Sequence, residues 1–166
     1  MVAAIEGLVW KARYKVEKYH GDLPAEQDRY GIEPYEVIEG EGNLLLNEGI
    51  NELFVLLCGS GGTKFDNSNA RLGVGNSNSA AVATQTGLLG GSTLFKAMEA
   101  TYPLNGTDQK ATFRSSFGSS EGNFAWEEWT VDNGAGANKN LNRKVTVLGT
   151  KVSGTTWVFT VEVSLS

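Results

Sequence analysis

The sequence predicts a mainly β protein, an antiparallel β-sandwich or barrel with one α-helix at about residues 43–58 and an N-terminal strand or arm. Three observations lead there. From Thr155 to Ser166, Trp157, Phe159, Val161, Val163 and Leu165 alternate with Thr156, Thr160, Glu162 and Ser164, and only Val158 breaks the pattern. A period of two in aromatic and β-branched residues marks a strand with one face on a core. The chain also holds 21 glycines against 3 prolines in 166 residues, a turn-rich composition suited to many short strands. Finally, helical spacing is convincing in one segment alone. Burying the five side chains of the last strand contributes about 1.5–3 kcal/mol each before conformational entropy is charged.

Taken in order, residues 8–19 alternate too: Leu8, Trp10, Ala12, Tyr14 and Val16 on one face, Val9, Lys11, Arg13, Lys15 and Glu17 on the other. This predicts a strand with an apolar and a basic face. His20-Gly21-Asp22 begins a turn, and Asp22 to Pro34 is polar and without pattern, a long loop of the kind that is often extended or functional. Tyr35 to Glu39 returns as a short strand. Asn43 suits a helix N-cap, and Leu46, Ile50, Leu53, Phe54 and Leu57 follow at helical spacing, with Glu48 and Glu52 expected to face water. Gly49 within that helix costs up to about 1 kcal/mol relative to alanine. Gly59 to Gly62 ends it, and Cys58 is expected to be a buried, inert thiol.

Residues 67–85 are rich in Asn, Ser, Ala and Gly around Arg71-Leu72-Gly73-Val74-Gly75. No third glycine or lysine completes a phosphate loop, so a short strand and a turn are expected. Leu94 to Ala100 and Ala111 to Phe117 form strands, with Asn105-Gly106 as the turn signal between them. In Phe124 to Val131 the apolar face changes parity between Trp126 and Trp129, as a β-bulge produces. Arg143 to Leu148 supplies the penultimate strand. The expected core comprises Leu46, Ile50, Leu53, Phe54, Phe113, Trp126, Trp129, Trp157, Phe159, Val161 and Val163.

Composition and motifs exclude more than they assign. The net charge of −5 argues against nucleic acid as a partner. A single cysteine rules out an internal disulfide framework and a cysteine-rich zinc site. No apolar run approaches a membrane span. His20 has no nucleophile motif to serve, and Glu127 and Glu128 point to opposite faces of a strand and so make no glycosidase pair. The expectation is a non-enzymatic protein with no cofactor and no metal.

Five segments resemble a family of tailed-phage virion structural proteins, which includes capsid decoration and tail-collar-like β proteins. They are Asn43 to Ile50 (NLLLNEGI), Asn69 to Gly75 (NARLGVG), Thr112-Phe113-Arg114, Asn123 to Trp129 (NFAWEEW) and Leu141 to Lys144 (LNRK). The resemblance covers residues 42–166. It implies a virion component, most simply a decoration (cement) protein bridging major capsid protein subunits, associated with copies of itself as a trimer, on the capsid surface after synthesis in the host cytoplasm. A tail collar, fibre or tip component and a receptor- or carbohydrate-binding module are the alternatives.

On this reading residues 1–40 form a strand and an extended arm, and residues 41–166 the sandwich domain. The expected partner contacts are Trp10, Lys11, Arg13, Tyr14, Lys15, Asp22, Arg29 and Tyr30, because a basic face and a long loop stand out on an acidic protein. The competing expectation makes residues 8–16 an integral strand of the sandwich.

Overall fold

A computed structural model describes Gly7 and residues 9–166 of the chain. Ten strands and one α-helix follow in the order β1 (Trp10–His20), β2 (Glu36–Glu41), β3 (Leu44–Leu45), α1 (Asn47–Leu57), β4 (Arg71–Gly75), β5 (Thr93–Ala97), β6 (Leu104–Thr107), β7 (Lys110–Phe117), β8 (Ala125–Asp132), β9 (Asn142–Thr150) and β10 (Thr155–Leu165). They form two five-stranded sheets, β2-β1-β10-β7-β6 and β3-β9-β8-β4-β5, with every pairing antiparallel. The mainly β, sandwich-like fold matches the expectation.

The last strand is central. β10 pairs with β1 from Trp10↔Leu165 to His20↔Thr155 on one side and with β7 on the other. Its alternating set Trp157, Phe159, Val161 and Val163 is buried, as are Ala12, Tyr14 and Val16 of β1 and Phe113 and Phe117 of β7. From the facing sheet come Leu72, Val74, Trp126, Trp129, Val131 and Leu148, all fully buried. The aromatic rings meet edge to face: Trp126 and Trp157 centroids lie 4.8 Å apart at 67°, and Trp129 and Phe159 lie 5.7 Å apart at 86°. This is the favoured geometry for ring quadrupoles. The parity change in β8 is a real irregularity, since its register against β9 shifts between Trp126 and Glu128. Across it β8 advances two residues while β9 advances four, from Gly149 to Val145, and both indoles face inward on either side of the irregularity.

Several expectations are corrected. β1 is bonded on both edges, by β2 and β10, so the N-terminal strand is integral to the sandwich. A boundary at residue 40 would cut through β2. Residues 1–6 and 8 of the expected arm and strand lie outside the described residues. The helix begins at Asn47, not 43; Leu46 occupies the N-cap position, and Leu44–Leu45 form β3 against β9. The β6–β7 hairpin turns at Asp108 and Gln109, whose φ values of 53° and 52° supply the left-handed pair a tight hairpin needs. Asn105-Gly106 instead lies at a register irregularity within β6.

The largest correction concerns the orientation of α1. Its buried positions are Gly49 and Glu52, whereas Leu53, Phe54 and Leu57 are exposed and Ile50 is half-buried. Cys58 is exposed as well. At about 100° per residue, the apolar stripe is turned roughly a quarter turn from the sheet. The reason is polar. Glu52 Oε1 accepts from the Thr63 N–H at 2.7 Å and from Asn133 Nδ2 at 3.0 Å, and Glu48 Oε1 accepts from the Asn140 N–H at 2.9 Å and Asn140 Nδ2 at 3.0 Å. Gly49 lies between those two carboxylates. A Cβ there would fall 2.6 Å from Asn140 O and 2.7 Å from Leu141 O, so only glycine permits this approach.

Candidate interaction surfaces

Each sheet is also covered over part of its outer face, and the covers use polar chemistry. On β8, Glu128, Thr130 and Asp132 alternate with the inward Trp129 and Val131 and are fully buried. Glu128 meets Arg143 Nε at 2.7 Å and accepts from the Leu89 and Gly90 N–H groups at 3.1 and 2.7 Å. Arg143 Nη1 donates to Gln85 Oε1 at 3.0 Å and Ala80 O at 3.3 Å. One buried ion pair thus holds the Asn/Ser/Ala/Gly-rich segment onto the sheet. Gly75 makes room for it, since a Cβ there would collide with the Glu128 carboxylate. The Gly73-x-Gly75 run is a strand shaped by this packing and by Phe95, whose ring a Cβ at residue 73 would strike.

On the other sheet, the expected extended loop folds back as a strap. Glu26–Asp28 forms a single 3-10 turn. Arg29 Nη1 lies 2.6 Å from Glu99 Oε1, Arg114 Nε lies 3.3 Å from Glu99 Oε2, and Arg114 Nη1 lies 3.4 Å from Glu26 Oε1. Thr101 Oγ1 donates to Glu26 Oε2 at 3.0 Å. Arg114 belongs to the outward face of β7, and the outward Tyr19, Thr156 and Val158 are all buried. Burial raises the Tyr19 phenol above its ordinary value, and the Glu17 carboxylate adds to it, while Arg114 and Arg29 pull the other way. For Arg114, burial opposes the charge, yet the hydrogen bond to Tyr102 and the Glu99 carboxylate outweigh it and raise its pKa.

The expected partner contacts therefore fall into three groups. Lys11 and Arg13 are exposed on the outward face of β1, and Asp22 and Tyr30 are exposed on the strap. Tyr14 is buried in the core with its hydroxyl 3.2 Å from Thr146 Oγ1, and Trp10 is half-buried with Nε1 donating to Asn43 Oδ1 at 3.0 Å. Arg29 is engaged with Glu99. The face of β1 that reads as basic is not a basic patch either. Cross-strand neighbours set Arg13 between Glu41 and Glu162 and Lys15 beside Glu39, and Lys15 also pairs with Glu17 at 3.1 Å. Opposite charges on adjacent strands neutralise it.

What sequence reasoning missed is apolar. Leu53, Phe54 and Leu57 form an exposed ridge on α1, Phe54 being 59 % and Leu57 79 % accessible. A second exposed strip along the edge strand and strap adds Ile32, Tyr35 and Val37 to the expected Tyr30. His20 stacks on Tyr35 with centroids 4.3 Å apart. Exposed apolar groups gathered this way mark contact surfaces more often than scattered ones do. The readable signal for the ridge was Gly49 flanked by two carboxylates one residue and three residues away, which favours a buried polar face.

Among the described residues, no group of three or more His, Cys, Asp and Glu side chains is placed to hold a metal ion. Among them also, no helix is long and apolar enough to cross a membrane. No family model, curated protein or solved structure matches the chain.

Proposed function

We propose that the chain is a structural component of a tailed-phage virion, a capsid decoration protein that bridges major capsid subunits and associates with copies of itself about a local three-fold axis. The observation that carries this reading is where the resembling segments lie. Asn69 to Gly75, Asn123 to Trp129 and Leu141 to Lys144 are scattered over the sequence but belong to adjacent strands β4, β8 and β9, and Asn43 to Ile50 opens the helix resting on them. These four of the five segments share one scaffold, tied by the Glu128–Arg143, Arg71–Asp132 and Glu48–Asn140 contacts, and the fifth, Thr112-Phe113-Arg114, lies on β7 of the facing sheet.

On that scaffold the outward ridge of α1 is the contact element. A rigid two-sheet body with an apolar ridge suits a protein that works by adding buried area at a seam. The surface of 8845 Å² accommodates several contacts of about 800 Å² per side. Repetition around a symmetry axis multiplies modest contacts through avidity.

Gold-labelled antibody raised against the protein, viewed on intact virions, tests the assignment. Label over the capsid faces supports decoration, label confined to the tail replaces it with a tail component, and unlabelled virions overturn the virion reading. Co-sedimentation with undecorated capsids of the encoding phage tests the contact. Phe54→Asp/Leu57→Asp is expected to lose it.

A further inference from the structure

Two Asn-Gly pairs occur in the chain, Asn105-Gly106 and Asn133-Gly134. This dipeptide has a chemistry of its own. The glycine nitrogen, with no side chain crowding its Cα, can reach the Cγ of the preceding asparagine and close a five-membered imide. In a folded protein that reaction depends on how freely the amide and the glycine main chain turn toward each other. The fold treats the two pairs in opposite ways.

Asn133 is fully buried, and its amide is held on three sides. Nδ2 donates to Glu52 Oε1 at 3.0 Å and to Thr63 O at 2.9 Å, and Oδ1 accepts from the Lys139 N–H at 2.9 Å. The Gly134 N–H donates to Asp132 Oδ1 at 3.3 Å, and a Cβ on Gly134 would lie 2.9 Å from Asn69 O. Neither the carbon to be attacked nor the attacking nitrogen can turn without breaking these contacts.

Asn105 and Gly106 are both exposed. They belong to β6, a four-residue strand exposed throughout and paired on one side only, at the edge of the first sheet. On β7, Ala111 stands opposite Asn105 and Lys110 opposite Thr107, so the register skips Gly106. Gly106 has a φ of 88°, and a Cβ on it would meet nothing within 4 Å, so the main chain has room to turn. A short edge strand of this kind opens locally at little cost.

We propose that Asn105 is a site of spontaneous deamidation in the folded protein, and that the fold protects Asn133 from the same reaction. The Gly106 nitrogen gives its proton to hydroxide and bonds to Asn105 Cγ. The bond from Cγ to the side-chain nitrogen breaks, and ammonia leaves with a proton taken from water. Water then opens the imide at either carbonyl, giving aspartate or isoaspartate. Both products add a negative charge to the sheet edge at neutral pH. Isoaspartate also lengthens the main chain of β6 by one carbon, out of step with Ala111.

The test keeps the full chain in native buffer at mildly alkaline pH and maps tryptic peptides by mass spectrometry over days, against an unincubated sample. Deamidation is expected in the peptide Ala97 to Lys110, at Asn105, at a rate about tenfold or more above that of Asn133. It should quicken with rising pH and yield aspartyl and isoaspartyl forms that chromatography separates. In urea, where burial no longer distinguishes the pairs, the two rates are expected to converge. Asn105→Gln, whose longer side chain would have to close a six-membered ring, is expected to lose the modification. Comparable native rates at the two sites, or an intact Asn105 in a native chain whose unfolded form reacts, overturn the proposal. A rate ratio unchanged by urea overturns the protective role of the fold. The same modification of that peptide in Asn105→Gln overturns the assignment of the site.

Discussion

The Arg143 guanidinium and the Glu128 carboxylate meet at 2.7 Å on the outer face of the second sheet, and neither side chain reaches solvent. Both groups also bind main chain between Ala80 and Gly90, so the pair closes a segment that has no hydrophobic pattern of its own. Removing one partner strands the other charge. Glu128→Ala or Arg143→Ala is expected to cost about 3–5 kcal/mol in denaturant unfolding. The double replacement Glu128→Leu/Arg143→Met should cost less than either, while making residues 76–92 more sensitive to limited proteolysis. A double variant as unstable as the singles would show that the main-chain contacts, not the stranded charge, dominate.

Gly49→Ala separates two effects of opposite sign. Helix propensity alone predicts a gain of about 1 kcal/mol. The close approach to Asn140 and Leu141 predicts a loss of about 1–3 kcal/mol from overpacking. The structure commits to the loss, to be read as a lower denaturant midpoint.

The two faces of α1 should respond in reverse of what hydrophobicity suggests. Phe54→Asp and Leu57→Asp are each expected to change stability by no more than about 0.5 kcal/mol, as exposed positions do. Glu52→Ala leaves the Thr63 N–H and the Asn133 amide without their acceptor and should cost about 1–3 kcal/mol. Equal costs at 52 and 54 in urea titrations would mean that the helix is rotated from the position described.

Acid sensitivity centres on Glu121. Burial alone would raise its pKa, but hydrogen bonds from the Lys96 ammonium and the Gly118 N–H, with the charges of Lys96 and Lys151, hold it below its ordinary value. A carboxyl depressed in the folded state contributes stability above its unfolded pKa and loses it as pH falls through the folded one. Glu121→Gln should therefore reduce stability at neutral pH and flatten the acid limb of the stability profile. The difference from wild type should shrink toward zero once pH has fallen below the depressed folded-state pKa. It will be modest, because the side chain is partly open to solvent.

The fold was legible where burial has a period. Trp157 to Val163 and the Trp126–Trp129 parity change point to strand, face and bulge because hydrophobic side chains there do face the core. The helix misled because its inward groups are Glu48 and Glu52, and periodicity assigns carboxylates to water. Cys58 was misplaced with it, following the stripe outward. The strap was invisible for another reason: Glu26, Arg29, Glu99 and Arg114 find each other across long sequence separations, and ion pairs leave no local pattern. Of the expected contact residues, Lys11, Arg13, Asp22 and Tyr30 are accessible. Tyr14 is not, because its position in the alternation of β1 points it inward, as that alternation itself indicated.

The mutual hydrogen bonds of Val9 and Ser166 place the outer ends of β1 and β10 side by side in an antiparallel ladder. Under tension applied between those two residues, the rungs are loaded one at a time from that end, and the ladder unzips. Tension between Ser166 and His20, at opposite ends of the paired strands β10 and β1, instead slides one strand along the other and loads the eleven pairs of their register in parallel. The molecule is thus soft toward a pull on its paired ends and stiff toward a pull that slides β10 along β1, so its resistance to force depends on where a neighbour takes hold.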